Sequence, residues 1–172
     1  MKNIEIKARS PGAERLRALL TPLGARPCGF LPQVDTYFRV PRGRLKLRVM
    51  PDRAELIHYQ RADGTGPRES DYQIHPVGEP GSLRRLLASS LGIRSEVRKV
   101  RELWLLENVR IHLDEVEELG SFLELEAVLD GTASEAVSRE RVDLLLRRLG
   151  VREEDLISRS YVDLLELTRS TD

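Results

Sequence analysis

Apolar and polar positions alternate strictly over several short stretches of this chain and recur every three or four residues over others. Over 3–9, Asn3, Glu5, Lys7 and Arg9 alternate with Ile4, Ile6 and Ala8. Over 44–49, Arg44, Lys46 and Arg48 alternate with Leu45, Leu47 and Val49; over 109–114, Arg110, His112 and Asp114 alternate with Val109, Ile111 and Leu113. Over 122–129, Glu124 and Glu126 share one parity and Leu123, Leu125, Ala127 and Leu129 the other. Successive side chains of a strand point to opposite faces, so each stretch predicts a strand with one charged and one apolar face. Less regular strands are predicted over 33–40, 54–61, 69–75 and 96–106, about eight in all. They are joined at turn clusters such as Pro41-Arg42-Gly43 and Asp63-Gly64-Thr65-Gly66.

Three segments carry the helical period. Ser10 as cap and Pro11 at the first position introduce Leu16, Leu19, Leu20 and Leu23, with Gly24 as the stop. A second helix begins near Ser82, with Leu83, Leu86, Leu87 and Leu91 before Gly92. The third begins near Ser134, with Val142, Leu145, Leu146 and Leu149 before Gly150. Each is apolar on one side only. A short helical piece is predicted at Leu156 and Ile157, followed by the tail Ser160-Tyr161-Val162-Asp163-Leu164-Leu165. An antiparallel sheet of about eight strands can close around one small ligand. If the charged faces turn inward, the apolar faces turn outward and the helices cover them. The expected fold is α+β: a closed or nearly closed antiparallel β-barrel with helices packed outside.

Bulk properties narrow the setting. The 172 residues suit one domain, 1–172, without repeats or linkers. The 28 basic and 28 acidic residues cancel, which weakens any reading as a nonspecific nucleic-acid binder. Cys28 is the only cysteine, so no internal disulfide is expected and a reducing compartment fits. The start Met1-Lys2-Asn3-Ile4-Glu5 lacks the apolar core of a signal peptide. No apolar run approaches the roughly 18 residues that span a bilayer. The expected location is cytoplasmic, with no membrane and no nucleic-acid partner; monomer and homodimer are both open.

Charged faces of amphipathic strands ordinarily meet water. Two features point elsewhere. Arg44, Lys46 and Arg48 put one sign of charge at about 6.6 Å intervals along one strand, and such a row suits an anion. Carboxylates also collect on charged strand faces, at Glu5, Asp114, Glu124 and Glu126. Carboxylates beside rows of cations suit a polyanion bridged by Mg²⁺ or Mn²⁺, hard ions that take oxygen ligands.

At these residues the chain resembles a known family. Asn3-Ile4-Glu5-Ile6-Lys7 is similar to the N-terminal Glu-x-Glu-x-Lys motif of the CYTH superfamily, the triphosphate tunnel metalloenzymes. The resemblance continues through Gln33-Val34-Asp35-Thr36-Tyr37-Phe38, Gly43-Arg44-Leu45-Lys46-Leu47-Arg48 and Lys99-Val100-Arg101. It then takes in Arg110–Val116, Leu119–Glu126 and the Ser160–Leu165 tail. Several motifs in one order along nearly the whole chain make the resemblance specific. Within the superfamily the run Leu113-Asp114-Glu115-Val116 to Glu126 and the Ser-Tyr-x-Asp-Leu-Leu ending look most like the class IV adenylate cyclase branch. The resemblance implies a small-molecule triphosphate substrate and Mg²⁺ or Mn²⁺ as cofactor. It implies Glu5, Glu124, Glu126 and Asp114 as metal ligands, with Lys7 and Asp114 as catalytic candidates. Lys7, Arg44, Lys46, Arg48, Lys99, Arg101 and Arg110 would bind phosphate oxygens, and Arg9, Arg61 and Ser160 are further candidates. Some of these carboxylates could instead only neutralise neighbouring Arg and Lys residues. Asn3 departs from the motif: an amide replaces the first Glu.

Three functions stay open: cyclisation of ATP to cyclic AMP and pyrophosphate, hydrolysis of an inorganic, nucleoside or thiamine triphosphate, and non-catalytic binding of polyphosphate or a triphosphate. Fold does not settle reaction. His58, His75 and His112 lack zinc-ligand spacing, and the chain has no Gly-x-x-x-x-Gly-Lys-Ser/Thr loop. Trp104 and the few other aromatics make no base-stacking platform.

Overall fold

The computed structural model describes residues 2–61, 68–129, 131 and 133–170. The predicted turn at Asp63–Gly66 lies outside the described residues, as does the side chain of Arg61. The elements run β1 (Lys2–Arg9), α1 (Ala13–Leu20), β2 (Arg26–Phe38), β3 (Arg44–Val49), β4 (Ala54–Arg61) and β5 (Arg68–Val77). They continue with α2 (Pro80–Leu91), β6 (Ile93–Leu106), β7 (Val109–Val116), β8 (Gly120–Val128), α3 (Glu135–Arg148) and α4 (Tyr161–Arg169). The strands close into an antiparallel barrel in the order β1-β5-β4-β3-β2-β6-β7-β8, with β8 returning to β1.

The apolar parity faces out and is covered. Ile4 and Ile6 of β1, Ile111 of β7 and Leu123 and Leu125 of β8 form one core with Leu16 and Leu20 of α1, Val142 and Leu145 of α3, and Leu149 just after it. Each such side chain contributes roughly 1.5–3 kcal/mol when fully buried, so this layer fixes which parity of each strand can face the interior. A one-residue slip would put Glu124 and Glu126 into that layer.

Several boundaries differ from the sequence expectation. β2 begins at Arg26, not at 33, although Pro27, Gly29 and Pro32 read as loop. Those residues pair with β6 through a register shift between Pro27 and Gly29, while β3 pairs only with Val34–Phe38. Prolines are tolerated on a strand side that has no ladder partner. α1 starts at Ala13; Ser10 instead accepts a hydrogen bond from the Gly12 backbone N–H at 3.0 Å. α2 carries no fully buried residue and Leu86 is 63% exposed, so its predicted stripe covers the barrel only partly. Leu156 and Ile157 are not helical: Leu156 bridges to Ala8, after a 3-10 turn at Glu153–Asp155. Gly43, in the β2–β3 turn, has φ +66°, and a Cβ there would lie 2.7 Å from the Tyr59 carbonyl oxygen.

One end of the barrel is plugged. Inward-facing Tyr37, Val97, Val116 and Phe122 pack against Tyr161, Val162 and Leu165 of α4. Ser160 caps α4 reciprocally with Asp163, and ion pairs from Asp163 to Arg44 and Arg94 (2.8 Å each) hold the helix on the rim.

Candidate functional site

The remaining parity lines a cavity of about 510 Å³, within the usual size of a small-molecule site. β1 contributes Asn3, Glu5 and Lys7; β3 contributes Lys46 and Arg48; β6 contributes Lys99 and Arg101. β7 adds Arg110 and His112, β8 adds Glu124 and Glu126, and Ser160 and Tyr161 close the plugged end. Residues far apart in the chain are thus gathered because each sits at the parity that the outer core rejects.

Two buried carboxylates organise the cations. Asp35 accepts from Lys46 Nζ at 2.9 Å and from Arg48 Nε and Nη2 at 2.8 Å each. Asp114 accepts from Arg101 Nε and Nη2 at 2.7 Å each and from the Tyr161 hydroxyl at 2.8 Å, with Lys99 Nζ 3.7 Å away. Burial pushes the Asp35 carboxyl up, but Arg48 and Lys46 outweigh it and hold the group well below its usual range. The same contest, won by Arg101 and Lys99, lowers Asp114. Burial, with repulsion from Arg101, lowers Lys99 to about 7; burial and Arg48 lower Lys46 to about 8. Both lysines would gain from an arriving anion.

Glu124 is shared by three neighbours: Arg101 Nη2 at 3.2 Å, Lys7 Nζ at 3.4 Å and His112 Nδ1 at 3.3 Å. Burial raises its pKa, yet Arg101 and Lys7 hold it well below normal. Lys7 Nζ also lies 3.8 Å above the Tyr161 ring. Arg110, half-exposed, is 3.6 Å from Glu126. Arg9 and Arg44 lie outside the cavity lining. Arg9 stacks over Phe122 and donates to the Leu119 carbonyl, while Arg44 is engaged with Asp163.

Sequence reasoning missed Gln33, Asp35, Tyr37 and Tyr161. The shared odd parity of Gln33, Asp35 and Tyr37 was the available signal for the first three. The inward apolar residues Leu31, Met50, Ile57, Ile74, Leu103 and Leu105 carried no such signal.

The donor set fits a hard divalent cation. Glu5 and Glu126 are cross-strand partners on the inward face, an arrangement in which opposite side chains are neighbours. Asn3 Nδ2 donates to Glu126, which leaves Asn3 Oδ1 buried without a partner among the described residues. No group of three His, Cys, Asp or Glu side chains there could hold an ion unaided. Two carboxylates and an amide oxygen suit an ion such as Mg²⁺, which completes its shell with water and substrate oxygens.

Comparisons with known proteins agree with this architecture. The CYTH domain model matches residues 1–161. A Methanocaldococcus jannaschii protein named "Putative adenylate cyclase" is 32% identical over 95% of this chain and 98% of its own length. A Pyrococcus horikoshii structure superposes with TM-score 0.84 at 26% identity, covering 94% of this chain and 98% of that one. A Hippeastrum protein, named "Putative adenylyl cyclase" and said to reveal a dominant triphosphatase activity, shares the fold at TM-score 0.67 and 17% identity, over 96% of both chains. Among the described residues no helix is long and apolar enough to cross a membrane. The family is generally dependent on divalent metal. With its motifs in order and its charged parity turned into a closed barrel, this chain belongs to the CYTH domain family, whose members are triphosphate tunnel enzymes.

Proposed function

We propose that the chain is a metal-dependent enzyme acting on the triphosphate of a nucleotide, with ATP cyclisation to cyclic AMP and pyrophosphate as its reaction. The observation that carries this reading is the inward wall of Lys46, Arg48, Lys99 and Arg101, set across the strand ring from the Glu5–Glu126 pair. Arg48 and Arg101 offer planar forks to phosphate oxygens and the lysines act as point charges. Arg110 and Lys7 extend the cradle. Glu5 and Glu126, with Asn3 Oδ1, would hold Mg²⁺ or Mn²⁺, and Glu124 would orient Lys7 and Arg101 beside it. When bound, the ion supplies Lewis-acid polarisation of phosphate oxygens. Asp114 acts by fixing Arg101, Lys99 and Tyr161. Lys7 stabilises charge growing on the leaving group. In the cyclisation the ribose 3′-hydroxyl oxygen bonds to the α-phosphorus and gives up its proton to water, the bond from the α-phosphorus to the α,β-bridging oxygen breaks, and pyrophosphate departs with that oxygen.

Hydrolysis is the second reading, favoured by the dominant triphosphatase activity of the Hippeastrum neighbour. The same cradle serves both, because the difference lies in which phosphorus faces the nucleophile. Incubation of the pure protein with ATP, inorganic triphosphate and thiamine triphosphate, each with Mg²⁺ or Mn²⁺, separates them by product. Cyclic AMP with pyrophosphate supports cyclisation, and orthophosphate release supports hydrolysis. Tight binding without any turnover would make the protein a non-catalytic triphosphate binder.

A further inference from the structure

Lys7, Lys46 and Lys99 line the cavity, and each stands near a tyrosine ring. Lys46 Nζ lies 5.5 and 5.6 Å from the Tyr37 and Tyr59 centroids and is closed onto Asp35 at 2.9 Å. Lys7 and Lys99 behave differently. Their ammoniums approach one ring, that of Tyr161, to 3.8 and 4.9 Å, and they stop 3.4 Å from Glu124 and 3.7 Å from Asp114. Charge-assisted hydrogen bonds between ammonium and carboxylate normally close to about 2.7–2.9 Å. The two lysines nearest a ring are thus the two whose ion pairs stay long.

Tyr161 is the first residue of α4, directly after the capping Ser160, and is 4% exposed. Its hydroxyl donates to Asp114 at 2.8 Å, and its ring meets that of Phe122 edge-on at 5.0 Å, so the ring plane is fixed from two sides. β1 and β6, which carry the two lysines, are separated in the barrel by β7 and β8, and the plug helix brings one ring to both. An aromatic face attracts a cation through its quadrupole while carrying no net charge. A carboxylate in the same place would also hold the lysines, but it would repel an arriving polyanion.

We propose that Tyr161 is a positioning residue for the triphosphate: its ring holds the ammoniums of Lys7 and Lys99 off Glu124 and Asp114, poised for phosphate oxygens. The inference rests on the triphosphate reading above. It makes the C-terminal helix a working part of the site as well as its stopper. Without the ring, each ammonium would close onto its carboxylate, and a ligand would have to break two tight ion pairs before it could bind.

The test is titration calorimetry with Mg²⁺ and a methylene-bridged, non-hydrolysable inorganic triphosphate. The proteins are wild type, Tyr161→Phe, Tyr161→Leu and a protein with pentafluorophenylalanine in place of Tyr161. Fluorination reverses the charge distribution of a ring and nearly keeps its shape. Tyr161→Phe should bind within about threefold of wild type, since a ring remains. The pentafluoro and leucine proteins should each bind about tenfold more weakly than Tyr161→Phe, the scale of a desolvated cation–π contact. Equal affinity of the phenyl and pentafluorophenyl proteins would reduce Tyr161 to a filler of the plug and overturn its role, because a merely structural ring is indifferent to fluorination. Wild type supplies a second reading that needs no substituted protein to fold. By nuclear magnetic resonance, the ε-methylene proton signals of Lys7 and Lys99 should be shifted upfield by the ring and stay shifted in the complex. Their return to ordinary positions on binding would mean that ring and phosphates compete for the lysines, which also overturns the role. Either result with triphosphate still bound would leave the triphosphate site intact; failure of wild type to bind it would remove both.

Discussion

Arg44, Lys46 and Arg48 share one strand face, where a row of like charges would repel if nothing stood between them. Asp35, on the neighbouring strand β2, answers Lys46 and Arg48 together, and Arg44 is drawn away to Asp163. On the proposed reading the cradle is therefore assembled before any ligand arrives, since Asp35 and Asp114 already fix the guanidinium planes of Arg48 and Arg101. Such preorganisation is what electrostatic binding and catalysis require. It also ties affinity to stability. Arg48→Ala should weaken triphosphate binding about tenfold or more and lower folding stability by about 3 kcal/mol, because Asp35 loses its bidentate partner in the interior. Urea unfolding and calorimetry check the two effects. If stability is unchanged, Asp35 does not depend on Arg48; if affinity is unchanged, Arg48 does not touch the phosphates. Glu126→Gln asks about the metal instead: metal affinity, titrated without substrate, should fall by about tenfold or more, while the melting temperature changes little. Metal binding as tight as in wild type would remove Glu126 from the ligand set.

α4 closes the tunnel, and its hold depends on charge. Asp163 is buried enough for its pKa to be pushed up, but the Ser160 hydroxyl, Arg44 and Arg94 hold it down, from 3.8 to about 2. A carboxyl whose folded pKa lies below its unfolded value stabilises the fold above the unfolded pKa and loses that effect as pH falls through the folded one. The helix should thus loosen between about pH 4 and pH 2, with a loss of about 1–2 kcal/mol after allowing for solvent screening. Asp163→Asn should flatten this part of the stability profile, as followed by thermal unfolding against pH. An unchanged acid limb in the variant would show that α4 docks through Val162 and Leu165 alone. The β2–β3 turn is a second point of local dependence. Gly43→Ala should cost about 2 kcal/mol or more, from a left-handed φ unfavourable to alanine and a Cβ forced onto the Tyr59 carbonyl; denaturant midpoints measure it.

The whole molecule is a barrel with its usual polarity inverted: apolar outside beneath helices, charged inside. Because the internal carboxylates already pair with the internal cations, the fold should not need metal. A chelator should abolish turnover yet leave the melting temperature nearly unchanged, and a large drop in scanning calorimetry would mean that the ion is structural. The strict alternation at β1, β3, β7 and β8 made the barrel and its charged lining legible in the sequence, since period two and a one-sided apolar face leave a strand few ways to sit. Lys7, Lys46, Arg48, Lys99, Arg101 and the inward glutamates could be named from parity and motif. The start of β2 was hidden, because Pro27, Gly29 and Pro32 signal a loop unless the long partner β6 is known to lie alongside. Pairing across the barrel was equally out of reach. Asn3 meets Glu126 across 123 positions of chain, and Tyr161 meets Asp114 across 47. Local pattern decides which face a residue occupies; only closure of the ring decides which residue it meets there. Hence the sequence by itself determined the strands, their inward parity and the kind of charge they carry. The tertiary structure alone decided that Asp35 and Asp114 anchor the cations, that Arg44 and Arg9 leave the cavity, and that α4 blocks one end, because each of these depends on neighbours supplied from distant strands.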